Sequence, residues 1–114
     1  MSDKRPQEPI KVLVVDDHPV VRDGLRLFLT VTPGMVCAGE AANGEEALQR
    51  CADQPPDVIL MDLMLPVMDG VTATRLIRQR FPQIQVVALT SFEDRQLIQQ
   101  VIQAGALGYL LKNS

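Results

Sequence analysis

The sequence has no excess of positive charge and no long hydrophobic run. Its 114 residues include 11 Lys and Arg against 14 Asp and Glu, which gives a formal net charge of −3 and a pI near 5.0. Because phosphate contacts need a basic face, this balance argues against nucleic-acid binding by the chain itself. No apolar run approaches the roughly 20 residues that cross a membrane, and the polar start lacks the hydrophobic stretch of a signal peptide. We therefore expect a cytoplasmic protein.

Cysteine is also scarce. Cys37 and Cys51 show no paired spacing and have no metal-binding neighbours in the sequence, so we interpret both as small apolar core residues. Hydrophobic residues are plentiful, at 46% of the chain, and the length suits one domain. We predict a flexible polar tail over residues 1–9, followed by a single domain over residues 10–114.

Short apolar runs without polar alternation recur along the chain. Continuous runs rich in β-branched residues are typical of strands that are buried on both faces, as in parallel sheets. The strong candidates are residues 11–17, 57–62 and 85–91, and the weaker ones are residues 35–41 and 108–111.

Helical patterns separate these runs. Pro19 suits the first turn of a helix, after which Val21, Leu25, Phe28 and Leu29 share one face. Similar patterns over residues 43–53, 71–81 and 93–105 complete a βαβαβαβαβ order. This alternation predicts an α/β fold, in which an open parallel sheet carries helices on both faces.

A fifth helix would be expected after the last predicted strand, where the sequence stops at Ser114. Without it, part of one face of the sheet should lie open. We expect the chain to be an excerpt from a longer protein, or another chain to cover that face. The last predicted helix adds a second apolar surface, because one helix leaves part of so broad an arc exposed. Its members are Leu97, Ile98, Val101 and Ile102, and they serve either as plain core or partly as a contact for a partner.

Polar side chains stand at the carboxyl ends of the predicted strands, where open α/β sheets bind ligands. Asp16 and Asp17 end the first strand, Asp62 the third, Thr90 the fourth and Lys112 the fifth. If the first and third strands are neighbours, three carboxylates crowd together, and a divalent cation such as Mg²⁺ would relieve their repulsion. Lys112 adds a point charge suited to phosphate. The strand ends therefore predict a pocket for a metal ion and a phosphoryl group.

Four motifs together resemble the receiver domain of two-component response regulators, and more narrowly the NarL/FixJ subfamily, which pairs it with a LuxR-type helix-turn-helix domain. The resemblance covers residues 10–112. Its motifs are "VVDDHPVVRDGL" (14–25), "ILMDLMLPVMDG" (59–70), "ALTS" (88–91) and "GYLLK" (108–112). It implies a flavodoxin-like (CheY-like) five-stranded parallel sheet of order 2-1-3-4-5. It also implies a transcriptional output through a DNA-binding domain outside this chain.

The resemblance further implies a site. Asp62 matches the phosphoacceptor, which takes a phosphoryl group from a sensor histidine kinase. Asp17 and Asp62 match the side-chain Mg²⁺ ligands, Met64 would offer its backbone carbonyl, and Asp16 would reach the metal through water.

The remaining matched residues respond to the phosphoryl group. Lys112 matches the lysine that pairs with the phosphate. Thr90 matches the hydroxyl that turns toward it, and Tyr109 the aromatic switch that follows. Such a domain is a stoichiometric acceptor that slowly hydrolyses its own phosphoaspartate, rather than a conventional enzyme.

Other functions stay open. One is a stand-alone receiver that binds a partner protein, and another is a degenerate receiver. A phosphatase of the haloacid dehalogenase type is disfavoured, because it needs an acid where Met64 stands. A homodimer is expected, since LuxR-type regulators commonly bind paired half-sites.

Several residues near the motifs receive simpler interpretations. We expect His18 to lie exposed at a helix entrance rather than to bind metal, and Asp69 and Gly70 to form a turn and helix start. Met64 and Phe92 flank the acceptor and are apolar, which leads to the hypothesis that they hinder the attacking water and prolong the phosphorylated state.

Overall fold

Five β-strands and four α-helices alternate in the computed structural model, which describes residues 8–90 and 95–112. The predictions made for residues 1–7, for Ser91 and Phe92, for the first two residues of the helix predicted over 93–105, and for residues 113–114 lie outside the described residues. In chain order the elements are β1 (Ile10–Val15), α1 (Pro19–Thr30), β2 (Met35–Ala41), α2 (Gly44–Asp53), β3 (Val58–Asp62), α3 (Gly70–Arg80), β4 (Gln85–Thr90), α4 (Arg95–Gln103) and β5 (Gly108–Leu111).

The strands form one parallel sheet in the order β2-β1-β3-β4-β5, which confirms the predicted topology. β1 lies beside β3, with Val15 opposite Met61, and β4 pairs with β5, with Thr90 opposite Leu111. The carboxyl ends of β1, β3, β4 and β5 therefore meet at one edge of the sheet, which is the edge that presents functional residues in open α/β folds.

The loop after β1 differs from our prediction. β1 ends at Val15, so Asp16 and Asp17, which we placed at the end of the first strand, belong to the connection to α1. Asp16 Oδ1 accepts a hydrogen bond from the backbone N–H of His18 at 2.9 Å. Such an Asx-type turn bends the chain out of the sheet and fixes the carboxylate of Asp16 close to its own backbone.

The connection from β3 to α3 follows the prediction for a turn and helix start. Asp69 is the N-cap of α3, where its Oδ1 accepts a hydrogen bond from the N–H of Thr72 at 2.8 Å. α3 therefore begins at Gly70, one residue before the predicted start.

Aliphatic side chains fill both sides of the sheet. On one side, a cluster that includes Leu13, Ile59, Ile77 and Ile84 is buried between the strands and helices α2 and α3. On the other side, Leu29 of α1 packs on a smaller cluster contributed by the strands, which comprises Val12 and Val14 with the partly buried Val58 and Leu60. This burial of apolar area on both faces of the central strands explains their continuous hydrophobic sequences.

The side of the sheet that carries α1 is incompletely covered among the described residues. Phe28, which the sequence places on one face of α1 with Leu25 and Leu29, has a side chain that is 60% exposed. Leu110 of β5, which pairs with Leu89, is 55% exposed. α4 packs on the opposite side, against Ala88, so no described helix covers β5 where the sequence led us to expect a fifth one.

The apolar arc of α4 is also only partly buried. Val101 is buried, Leu97 and Ile98 are half-buried, and Ile102 is exposed, as expected for so broad an arc. Among the described residues, no helix has the length and apolar character needed to cross a membrane.

Candidate functional site

Three charged residues from distant parts of the chain meet at the carboxyl edge of the sheet. Asp16 follows β1, Asp62 ends β3 and Lys112 follows β5. Both carboxylates are buried. Nζ of Lys112 lies 2.6 Å from Oδ2 of Asp16 and 3.4 Å from Oδ2 of Asp62. The Lys112 ammonium therefore forms ion pairs with two buried carboxylates, and the shorter of these contacts is with Asp16.

The pKa values follow from this arrangement. Burial raises the pKa of Asp62, and the charge of Asp16 raises it further, so it stays above its ordinary value despite Lys112. Burial also acts to raise the pKa of Asp16, but hydrogen bonds from Lys112 and His18 outweigh it and the pKa is lowered. Burial acts to lower the pKa of Lys112, but the two carboxylates more than offset this and it is raised. Asp62 is therefore the less compensated of the two carboxylates.

Asp17 and His18 complete an acidic cluster at this edge. Nδ1 of His18 lies 3.0 Å from Oδ1 of Asp16 and 3.1 Å from Oδ1 of Asp17. Asp16, Asp17, His18 and Asp62 each offer one ligand atom, and these atoms all lie within 4.8 Å of one another. The sequence-predicted carboxylates are thus brought together as expected.

The cluster contains oxygen atoms whose hydrogen-bonding capacity is unused. Oδ1 of Asp17 and Oδ2 of Asp62 are buried and accept no hydrogen bond from the described residues. Buried carboxylate oxygens without a donor are costly unless a cation compensates them. A set of close carboxylates with oxygens that accept no hydrogen bond suits a hard divalent cation, which prefers oxygen ligands.

The structure places the other sequence-predicted site residues around Asp62. The backbone N–H of Met64 donates to Oδ1 of Asp62 at 3.2 Å, while the Met64 side chain is exposed. Thr90 is buried at the end of β4, and its carbonyl oxygen accepts a hydrogen bond from the N–H of Lys112 at 2.7 Å. Tyr109 lies in β5 and is exposed. Lys112 is therefore anchored through the backbone to the strand that carries Thr90.

Arg22 is a residue whose role the sequence did not reveal. Its Nη1 donates to the carbonyl oxygen of Asp16 at 2.7 Å, and its Nε donates to Oε1 of Glu40 at 3.1 Å. The guanidinium thus ties the loop that carries Asp16 to β2. The motif "VVDDHPVVRDGL" contains this arginine, but nothing in the sequence connects it to Glu40, which lies 18 residues away.

Gly70 is a second positioning residue, and its position at the start of α3 is only part of its role. Its N–H donates to the carbonyl oxygen of Leu63 at 3.1 Å. A Cβ atom at Gly70 would collide with the carbonyl oxygen of Asp62 and would lie 2.7 Å from Cα of Leu63. The first residue of α3 therefore packs directly against the backbone that carries Asp62, and only glycine fits there.

Residues 12–114 match the protein family described as the response regulator receiver domain. Among characterised proteins, the chain is 46% identical over 105 residues to the transcriptional regulatory protein LiaR of Bacillus subtilis (strain 168), covering 92% of this chain and 50% of LiaR. It is 43% identical over 105 residues to the response regulator protein VraR of Staphylococcus aureus (strain COL), covering 92% of this chain and 50% of VraR. The chain thus spans about half the length of the curated relatives it matches.

Solved structures agree with these sequence matches. A two-component response regulator of the LuxR family from Aurantimonas sp. SI85-9A1 superposes with a TM-score of 0.88 at 36% identity, covering 94% of this chain and 76% of that one. The response regulator domain of Thermotoga maritima CheB gives a TM-score of 0.87 at 30% identity, with coverage of 93% and 80%. With its matching fold, its acidic cluster at the carboxyl edge and these relatives, the chain belongs to the receiver domain family of response regulators.

Proposed function

We propose that this chain accepts a phosphoryl group on Asp62 from the phosphohistidine of a sensor histidine kinase and thereby switches a transcriptional output. The observation that carries the proposal is the buried Asp62 carboxylate, which belongs to the acidic cluster and has the Lys112 ammonium 3.4 Å from its Oδ2. The ammonium, and a cation held by the acidic cluster, would supply the neutralisation of negative charge on which phosphoryl transfer depends more than on covalent help.

We assign the cation of the acidic cluster as Mg²⁺, because hard oxygen ligands dominate the cluster. Asp17 and Asp62 would hold it through their side chains, Met64 through its backbone carbonyl and Asp16 through a water molecule. Its contribution when bound is to neutralise negative charge on the phosphoryl oxygens. The buried oxygen atoms of Asp17 and Asp62 that accept no hydrogen bond from the described residues support this assignment.

The transfer step uses Asp62 as the nucleophile. A carboxylate oxygen forms a bond to phosphorus while the P–N bond of the donor phosphohistidine breaks, and the electron pair of that bond returns to the imidazole, which takes up a proton from solvent water. Lys112 balances the added negative charge on the acyl phosphate, since its ammonium already lies 3.4 Å from Oδ2 of Asp62. Slow attack of water on the same phosphorus would later release phosphate and restore the carboxylate. Met64 and Phe92 would slow that attack.

The switch follows from the new phosphoryl oxygens. Thr90 would turn its hydroxyl toward them, and Tyr109 would rotate inward from its exposed position in β5. This change would bias a two-state surface formed by α4 and β5. The receiver domain over residues 10–114 would pass the signal to a LuxR-type DNA-binding domain outside this chain. The name of LiaR, a transcriptional regulatory protein, and the roughly doubled length of both relatives support that output.

A homodimer and a cytoplasmic location fit the same role. Regulators that bind paired DNA half-sites gain from two-fold symmetry. The phosphoryl donor derives from ATP inside the cell, so the acceptor has to be there as well.

The proposal is tested by intact-mass measurement after incubation with Mg²⁺ and acetyl phosphate. Wild type should gain one phosphoryl group in a Mg²⁺-dependent manner, and Asp62→Asn should gain none. Asp53→Asn is a matched control, because this exposed acid at the end of α2 lies outside the acidic cluster and should leave the adduct unchanged. An adduct that persists in Asp62→Asn would refute the assignment of the acceptor, and a folded wild type without any adduct would refute the phosphorylation itself.

A further inference from the structure

The loop between β1 and α1 directs three consecutive side chains toward one point. Nδ1 of His18 lies 3.0 Å from Oδ1 of Asp16 and 3.1 Å from Oδ1 of Asp17. His18 is the N-cap of α1, but its side chain makes no capping hydrogen bond, and Pro19 begins the helix without an N–H. The imidazole is therefore not used to cap the helix and is directed at the acids instead.

One proton on the imidazole does not satisfy these acids. A neutral imidazole that is protonated on Nδ1 has a single N–H at that nitrogen, and Oδ1 of Asp16 is its hydrogen-bond partner at 3.0 Å. Oδ1 of Asp17 lies almost as close, yet it is buried and accepts no hydrogen bond from the part of the chain that the structure describes. Oδ2 of Asp62, on a side chain that is 3% exposed, is likewise without a hydrogen bond there. A cation would satisfy all of these atoms together.

The separations match those between neighbouring ligands of a transition-metal ion. Two atoms that each lie about 2.1 Å from one ion are about 3.0 Å apart in octahedral geometry and about 3.4 Å apart in tetrahedral geometry. Nδ1 of His18 lies 3.1 Å from Oδ1 of Asp17, within this range, and within 4.8 Å of the ligand atom of Asp62. The imidazole therefore already stands at the distance from Asp17 that shared coordination requires.

We propose that His18 is a metal ligand that makes this acidic site selective for imidazole-binding divalent ions of the Zn²⁺ class over Mg²⁺. The set would comprise Nδ1 of His18 and carboxylate oxygens of Asp17 and Asp62. Zn²⁺ binds imidazole nitrogen well, whereas Mg²⁺ is held by oxygen ligands, so the histidine strengthens binding of one ion and not of the other. This inference rests on the proposed function in one respect, which is that Asp17 and Asp62 also belong to the proposed Mg²⁺ site. Its consequence is competition, because Zn²⁺ would displace the ion that phosphorylation needs.

The side chain of His18 allows this role, since it is 64% exposed and lies at the mouth of the site. Asp16 remains bound to Lys112 at 2.6 Å and so need not leave its ion pair. When the ion replaces the Nδ1 proton, the imidazole keeps its remaining hydrogen on Nε2, which leaves the ring neutral.

The first test is direct, because His18 is the only histidine in the sequence. Two-bond ¹H–¹⁵N spectra of the labelled chain at fixed neutral pH should show the Nδ1 resonance shift on addition of Zn²⁺, with Nε2 protonated. Addition of Mg²⁺ should produce no such shift of Nδ1. A His18 ring whose nitrogens respond to neither ion, while the chain binds Zn²⁺, would overturn the inference.

The second test compares affinities by calorimetric titration. His18→Gln should weaken Zn²⁺ binding by about 10- to 100-fold, as expected for loss of one strong ligand, and should change Mg²⁺ binding by less than about threefold. Val20→Ala is a matched control in the same segment, since Val20 is exposed and should alter neither affinity. An equal loss of both ions in His18→Gln would show that the histidine only positions the acids, and unchanged Zn²⁺ binding would show that it is not a ligand.

Asp62→Asn separates this inference from the proposed function. It should weaken both ions, because Asp62 belongs to both ligand sets. If wild type binds Zn²⁺ through His18 but gains no phosphoryl group with Mg²⁺ and acetyl phosphate, the metal inference stands and the proposed function fails. The reverse result, phosphorylation with no effect of His18→Gln on Zn²⁺, refutes the metal inference alone.

Discussion

Arg22 binds the carbonyl oxygen of Asp16 through a hydrogen bond of 2.7 Å from Nη1. The same guanidinium contacts Glu40 on β2, so a single side chain fixes the loop that carries two of the proposed metal-binding acids. Because the contact is made to backbone, it sets the position of Asp16 and Asp17 without occupying their carboxylates. Arg22 is therefore a positioning residue for the acidic site.

Arg22→Gln should loosen this loop and weaken Mg²⁺ binding. Loss of hydrogen bonds from a partly buried charged group should also lower the free energy of unfolding by about 1.5–3 kcal/mol. Arg26→Gln is the control, since Arg26 also contacts Glu40 but is more exposed and does not touch Asp16. Arg26→Gln should lower the free energy of unfolding by less than about 1 kcal/mol and leave the Mg²⁺ affinity unchanged. Calorimetry and urea unfolding measure both quantities, and equal effects of the two variants would contradict this role for Arg22.

Asp62→Asn should stabilise the metal-free chain at neutral pH. Burial and the charge of Asp16 raise the pKa of Asp62 above its unfolded value, so the folded state disfavours the charged form. Because this pKa is raised, the free energy of unfolding falls as the pH rises from the unfolded to the folded pKa of Asp62. Asn carries no charge, so the substitution removes this loss. Each unit of pKa shift corresponds to about 1.4 kcal/mol.

The gain from Asp62→Asn should shrink as the pH falls through the raised pKa of the folded state and should be gone below about 4, where the wild-type carboxyl group is protonated in both states. This difference in the free energy of unfolding is measured by urea unfolding of both proteins at several pH values, with a chelator present to remove metal ions. Asp53→Asn, at an exposed acid outside the cluster, serves as the control and should show no comparable gain at neutral pH. A gain in Asp62→Asn that stays constant down to acid pH would argue against a buried charge as its cause.

Gly70→Ala should destabilise the chain by about 2 kcal/mol or more, because the new methyl group would overlap the backbone of Asp62 and Leu63. Gly24→Ala is a matched control, since Gly24 lies within α1 and a Cβ there meets nothing within 4 Å. The control should stabilise the chain by about 0.5–1 kcal/mol through its better helix propensity. Thermal unfolding measures the stability of both variants relative to wild type. A Gly70→Ala variant as stable as wild type would refute the close contact.

Val67→Asn should stabilise the loop between β3 and α3. Val67 has a φ of 68°, and the N–H of Met68 donates to the carbonyl oxygen of Pro66 at 2.7 Å, which makes Val67 the centre of a γ-turn. A β-branched residue is strained there, whereas Asn tolerates positive φ, so the substitution should gain about 0.5–1.5 kcal/mol.

Little packing is lost in Val67→Asn, since the valine side chain is 78% exposed. Val20→Asn is the control at an equally exposed valine with helical backbone, and it should give no gain. Denaturant midpoints of the two variants provide the comparison, and a loss of stability in Val67→Asn would count against strain at this residue.

The sequence predicts the sheet well because its strands are short, continuous and apolar. The predicted bounds of β2 and β5 match the observed ones, and the alternation with helices leaves few alternative topologies. The gathering of Asp16, Asp62 and Lys112 was also predictable, because parallel strands in adjacent positions bring their carboxyl ends together.

Contacts that depend on side-chain reach across elements were not predictable. The bond from Arg22 to Glu40 joins α1 to β2, and the approach of His18 to two acids depends on the tight turn at Asp16. Neither leaves a periodic pattern in the sequence. The exposure of Phe28 was not predictable for a related reason, since periodicity identifies the apolar face of a helix but not which part of that face finds a neighbour.

The position of Lys112 immediately after an edge strand makes the positive charge of the site depend on how firmly that strand is attached. Within residues 8–90 and 95–112, β5 pairs with β4 alone, and the N–H of Lys112 continues this pairing to Thr90. Any ligand that loosens β5 would withdraw the ammonium from Asp16 and Asp62 and would change their charge state at a distance. By thermodynamic reciprocity, filling the acidic site must change the tightness with which β5 is held by an equal free energy. The attachment of the outermost strand and the charge state of the buried acids are thus energetically coupled.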